Sequence, residues 1–143
     1  MHKKEVFKNL ASKYNIHLYT GLYGYAMRYC HRQLENFNRE KKYSKVLEIG
    51  AGDAPHLDYL EHEYDEYFVA ETSSYAIESC RERKNIKAHS YDGVNLPFKD
   101  NFFDRIIISQ CLEHINEPEK FLFEVMNKLR NGGVLSISLP TDP

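Results

Sequence analysis

Val46-Leu47-Glu48-Ile49-Gly50-Ala51-Gly52-Asp53-Ala54-Pro55 decides the fold of this chain. Val46 to Ile49 reads as a short buried strand, and two glycines then turn the backbone sharply. Without a Cβ, Gly50 and Gly52 reach conformations closed to other residues and let the backbone come close to a ligand. Pro55 suits the first turn of a helix, where its missing N–H has no partner to lose. Strand, glycine turn and helix start in that order make a nucleotide-cofactor site in an α/β sheet.

Small departures say which nucleotide. A dinucleotide fingerprint places a third glycine three positions after the second. That position is Pro55, so the pattern breaks where a pyrophosphate contacts it. Downstream, Tyr67-Phe68-Val69-Ala70-Glu71 is a second apolar strand ending in a carboxylate, suited to accept both hydroxyls of a ribose. Asp92-Gly93, Leu96-Pro97-Phe98 and Asn101-Phe102-Phe103-Asp104 follow. A strand over Arg105 to Ser109 leads into Gln110-Cys111-Leu112-Glu113-His114-Ile115, and Leu129-Arg130-Asn131-Gly132-Gly133-Val134-Leu135 turns into a last strand.

In this order and spacing the segments resemble the motifs of class I S-adenosylmethionine-dependent methyltransferases. The first motif is an acid followed by Gly-x-Gly-x-Gly; Glu48, Gly50 and Gly52 match it and Ala54 replaces the last glycine. The resemblance runs from Tyr43 to Pro140, with Asn131 standing where the family has a proline. It implies Glu71 on the ribose, Asp92 on the adenine amino group with Thr72 or Gly93 flanking the ring, and the Gly50–Gly52 turn beside the methionine end. Ala51 and Asp53 are further backbone contacts, and the carbonyls near Ser109 and Gln110 are candidates for the ammonium. His114 is the candidate general base, with Glu113 as its neighbour or as a substrate ligand. Packing or capping by His114 stays open beside that. Gln110 stands where metal-binding relatives have a first glutamate, leaving too few anionic oxygens for a hard cation, so no metal is expected.

The elements predicted around these motifs are strands at 45–49, 67–71, 86–90, 104–109 and 133–139, with helices at 55–63, 73–83 and 118–130. Ser73 or Ser74 caps the helix at 73–83, and Asn131-Gly132 ends the last one. Alternation of this kind implies a Rossmann-like, doubly wound, mostly parallel sheet. Ligands in such sheets sit at the carboxyl ends of strands, where Gly50, Glu71, Asp92 and Gln110 all fall. Residues 1–42 precede the sheet as an N-terminal helical segment, and 43–143 form the cofactor-binding core of a single domain. Ala26, Met27, Cys30, Leu34 and Phe37 recur at helical spacing over 23–37, and Gly21 and Gly24 mark a hinge before them. This segment either packs on the sheet or forms a lid, with Tyr14 and Tyr19 as its pocket-facing members.

Composition narrows the rest. The chain has 143 residues, a net charge of -2 and no basic footprint for nucleic acid. No apolar run approaches a membrane span and no signal-peptide pattern is read at Met1. Three scattered cysteines suit a reducing cytoplasm and fit no zinc spacing. The family sheet normally carries two more strands, which leaves Val134 to Leu139 with an unpaired edge. A fragment of a longer chain, a homodimer through this last strand, and a minimal domain are the three outcomes, of which the first two are expected. The function expected is methyl transfer to an oxygen or nitrogen of a small molecule, lipid precursor or glycan. A non-catalytic or truncated cofactor-binding module is the alternative. A nicotinamide-dependent reductase or epimerase is disfavoured by Pro55 and by the lack of a Tyr-x-x-x-Lys pair.

Overall fold

The computed structural model describes residues 20–140. Five strands form one parallel sheet: β1 (Lys42–Ile49), β2 (Glu63–Glu71), β3 (Ile86–Ser90), β4 (Phe103–Ser109) and β5 (Leu129–Ser138). Their spatial order is β3-β2-β1-β4-β5. The chain winds outward from β1 to β3, then returns to the other side of β1, so the switch in direction lies between β1 and β4. β1 and β4 are therefore central, and Val46, Leu47, Ile49, Ile106, Ile107 and Ile108 are fully buried. Such continuous apolar runs are what a strand covered on both faces requires.

Each face has its own cover. Leu47, Ile49, Phe68, Ile106 and Ile108 pack against Phe121 and Val125 of α3 (Pro118–Lys128). Val46, Tyr67, Val69 and Ile107 face the other way, toward Leu34 of α1 (Gly21–Glu35) and Cys80 of α2 (Ser74–Glu82). Ser73 caps α2 through its hydroxyl, which accepts from the Ala76 amide at 3.4 Å. α1 begins at Gly21, so Gly24 lies buried inside the helix rather than at a hinge before it.

Two expected boundaries move. The helix at 55–63 is only a single 3-10 turn, Pro55–Tyr59, and β2 already begins at Glu63. The cause is a buried carboxylate: His56 and His62 both reach Glu35, at 2.9 and 2.8 Å. On a continuous helix, residues six apart are separated by about 9 Å of rise and point in different directions, so the helix must break for both to converge. The last helix ends at Lys128, and Leu129 is already a core residue of β5 paired with Phe103. Asn131-Gly132 thus forms no helix cap. Phe103 pairs with Leu129 but Arg105 pairs with Val134, so the extra residues bulge out of β5, with Gly132 at φ +75°. No helix among the described residues is long and apolar enough to cross a membrane.

Candidate functional site

The glycine turn after β1 holds three left-handed residues close together: Gly50 (φ 66°), Gly52 (φ 57°) and Ala54 (φ 56°). Gly50 is required by contact as well as by conformation. A Cβ there would lie 2.2 Å from Cys111 Sγ and 2.8 Å from Cys111 Cβ. Its close approach is therefore to the β4 loop, and its amide is already donated to Ala70 O at 2.9 Å. At Gly52 a Cβ would meet nothing within 4 Å, and the Gly52 amide donates to Glu71 Oε2 at 3.1 Å. That bond ties the first motif to the acid at the end of β2.

Glu71 is buried, and its other oxygen, Oε1, accepts from the amides of Thr72 (2.7 Å) and Ser73 (3.1 Å). Backbone amides thus fix the carboxylate while Oε2 keeps acceptor capacity. Asp92, just past β3, folds its own loop: Oδ1 accepts from the amides of Val94 (2.8 Å) and Asn95 (2.6 Å). Those bonds, the Asn95 amide first and its side chain next, pull the Asp92 carboxyl down to about 2. On the other side of the switch Gln110 adopts φ 50°, held by its amide donating to Ser138 O at 3.0 Å. A non-glycine residue in this conformation persists only where its surroundings impose it, often at a ligand site.

These strand ends open on one cavity of about 490 Å³, lined by Gly50, Glu71, Thr72, Asp92, Gly93, Gln110 and His114 among the residues expected from the sequence. The volume lies within the range typical of small-molecule sites. Its charge is informative: Glu71, Asp92 and Glu117 line it against one lysine, Lys120, which is itself paired with Glu117. Acceptors facing the cavity suit ribose hydroxyls, an adenine amino group and a cationic sulfonium. A pyrophosphate would meet carboxylates instead.

Several lining residues escaped the sequence analysis: Tyr91, Val94, Cys111, Ile115, Lys120 and Phe121. Tyr91 immediately precedes Asp92, and the aromatic before the acid was the available signal. Burial drives its hydroxyl pKa upward. Burial, then the Glu71 and Glu113 charges, push the Cys111 thiol up to about 11, which leaves it a packing group rather than a nucleophile. His114 lies at the mouth, its side chain 79% exposed and its Nε2 3.9 Å from Glu113 Oε1. That separation is too long for a hydrogen bond. Glu113 does not line the cavity.

Other expected residues point elsewhere. Glu48 is buried on the face covered by α1 and α2, accepts from Tyr67 Oη at 2.8 Å, and has its pKa raised by burial. Ala51 packs in the core of that same face. Asp53 lines no part of the cavity, and its carbonyl accepts from Arg83 at 3.1 Å. Ser109 faces Ser138, hydroxyl to hydroxyl at 3.1 Å. α1 packs on the 3-10 turn and β5, and none of its residues lines the cavity. Tyr14 and Tyr19 lie outside the described residues. Among those residues no three His, Cys, Asp or Glu side chains are placed to hold a metal ion.

A family profile described as a methyltransferase domain matches residues 47–137, from β1 through β5. The chain belongs to this methyltransferase family. The match starts one residue before Glu48 and ends within the last strand, so it takes in every strand end around the cavity. A ubiquinone/menaquinone biosynthesis C-methyltransferase of Yersinia pestis bv. Antiqua is 33% identical over 153 residues, covering 95% of this chain and 59% of that protein. A demethylmenaquinone methyltransferase of Renibacterium salmoninarum is 40% identical over 58 residues, 41% of this chain and 24% of that protein. The chain thus covers less than two thirds of the length of either curated relative. A phosphoethanolamine N-methyltransferase of Haemonchus contortus, solved with phosphoethanolamine and S-adenosylhomocysteine, shares the fold. Its TM-score is 0.70 at 18% identity over 98% of this chain and 33% of that one.

Proposed function

We propose that this methyltransferase domain binds S-adenosylmethionine in the cavity at the β1–β4 switch and transfers its methyl group to a small-molecule acceptor. One observation carries the proposal: the ends of four parallel strands bring Gly50, Glu71, Asp92 and Gln110 to a single cavity whose walls carry three carboxylates against one lysine, itself paired with Glu117. Glu71 holds the ribose, Asp92 and Gly93 flank the adenine, and Gln110 with Cys111 borders the sulfur end. When bound, S-adenosylmethionine supplies a methyl on a sulfonium, open to in-line attack by an acceptor lone pair.

The chain's own residues do the positioning. Glu71 is pre-oriented by three amides before any ligand arrives, so little ordering is left to pay for on binding. Tyr91 and Phe121 exclude water from one wall, and holding the acceptor in line removes much of the entropic barrier. His114, at the mouth, is placed to take a proton from an oxygen or nitrogen acceptor on the solvent side. A second reading, a carbon acceptor on a quinone precursor, is supported by the names of the curated relatives.

Calorimetry with S-adenosylhomocysteine and NAD is the test. Micromolar binding of the former and none of the latter is expected; NAD binding, or neither, refutes the assignment. A methyl-transfer assay over hydroquinone, catechol and amine acceptors then separates carbon, oxygen and nitrogen.

A further inference from the structure

The face of the sheet opposite α3 contains a buried ionic network that the cavity does not use. Glu35, the last residue of α1, is wholly buried. Its Oε1 meets His56 Nε2 at 2.9 Å and Arg105 Nη1 at 2.7 Å; its Oε2 meets His62 Nδ1 at 2.8 Å and the Glu61 amide at 3.1 Å. His31, one helical turn earlier, places its Nδ1 2.9 Å from His56 Nδ1 and stacks on Tyr59 at 5.0 Å. Burial alone would push the Glu35 carboxyl up, yet the hydrogen bonds from His56 and His62 and the Arg105 charge hold it below the usual range. Removing one member of such a network leaves charge buried without a partner.

The position of His56 gives the network its consequence. It lies two residues beyond Ala54, a fully buried non-glycine residue at φ 56°. That conformation is unfavourable for alanine and must be imposed from outside. On one side α2 and its C-cap grip the turn: Arg83, just past the helix, donates to the carbonyls of Asp53 and Ala54, and Cys80 Sγ donates to Gly52 O at 3.1 Å. On the other side the grip is His56 on Glu35.

We propose that Glu35 is a positioning residue that couples the docking of α1 to the shape of the glycine turn, so that cofactor affinity depends on a helix that touches no cofactor. The coupling is reciprocal: ligand at the turn tightens α1, and undocking α1 loosens the turn. The second half of this statement rests on the cofactor assignment above; the first does not.

Glu35→Gln keeps the shape, removes the counter-charge of Arg105 and turns an amide donor toward other donors. In the ligand-free variant, hydrogen exchange at the Gly52 and Ala54 amides is expected to speed by about tenfold or more, the loss typical of one charge-assisted hydrogen bond. Exchange at the buried Phe121 and Val125 of α3, which pack on the opposite face of the sheet, measured in parallel, reports global stability and is expected to change less. S-adenosylhomocysteine affinity per folded molecule falls by a similar factor, and saturating S-adenosylhomocysteine slows exchange in wild-type α1. Should Glu35→Gln fail to fold, Glu35→Asp, one methylene shorter with its charge intact, gives the same readouts. Turn exchange that rises no more than α3 exchange overturns the coupling, whatever the ligand result. Faster turn exchange with no wild-type binding of S-adenosylhomocysteine sustains the coupling and refutes the cofactor assignment instead. Faster turn exchange with unchanged affinity overturns the link to cofactor binding.

Discussion

Gly50→Ala perturbs the site at its tightest point. The added methyl meets Cys111 Sγ at 2.2 Å and Cys111 Cβ at 2.8 Å, so Cys111 must move. Since Cys111 lines the cavity, its displacement alters the space for the cofactor. Two costs combine. A non-glycine residue at φ 66° loses about 1–2 kcal/mol, and forcing a methyl into packed surroundings loses about 1–3 kcal/mol. The expected destabilisation in urea titration is about 2–5 kcal/mol, a large part of what holds a domain of this size together. The two parts separate in a double-mutant cycle. Cys111→Gly removes both clashing atoms, so Gly50→Ala in that background should retain only the conformational part. A favourable coupling of about 1–3 kcal/mol is expected. A Gly50→Ala variant destabilised by less than about 0.5 kcal/mol, or a cycle with no coupling, would refute the close packing of the two loops and the cavity wall built from it.

Glu71→Gln should weaken S-adenosylhomocysteine binding about 10- to 100-fold by calorimetry, because hydrogen bonds to a charged acceptor are replaced by weaker ones. Asp92 should titrate near 2 by carboxyl NMR, and Asn95→Ala, which removes the side-chain bond and keeps the larger amide one, should raise its midpoint only part of the way toward 3.8. With the folded pKa below the ordinary value, the turn over Asp92–Asn95 should stay intact above about pH 3.8 and open as pH falls through about 2. Cys111, with its thiol raised to about 11, should react with iodoacetamide at pH 8 far more slowly than a free thiol, since only about one molecule in a thousand is thiolate there. Rapid alkylation at Cys111 would contradict its raised thiol pKa.

Much of the cavity lining was legible because its residues lie where strands end, and strand ends are announced by apolar runs stopping at glycine or acid. Gly50 and Glu71 are of this kind, while Asp92 and Gln110 stand just past the ends of β3 and β4. Glu48 belongs to the same motif, yet strand alternation turns it to the opposite face, where it bonds Tyr67; sequence spacing does not reveal which face another element covers. The break at Leu60 was invisible for a related reason. It depends on His56 and His62 converging on Glu35, more than twenty positions earlier, and local periodicity cannot register so distant a partner. Asn131-Gly132 looked like a helix end because a left-handed glycine serves a cap and a β-bulge equally well. The burial of Leu129 against Phe103 decided between them.

A structure of the chain with S-adenosylhomocysteine bound addresses the central claim most directly. The account predicts ribose hydroxyls within about 3 Å of Glu71 Oε2, the adenine beside Asp92 and Gly93, and the sulfur near Gln110 and Cys111. The ligand seated elsewhere, or the same crystals binding nothing at the switch, would contradict it.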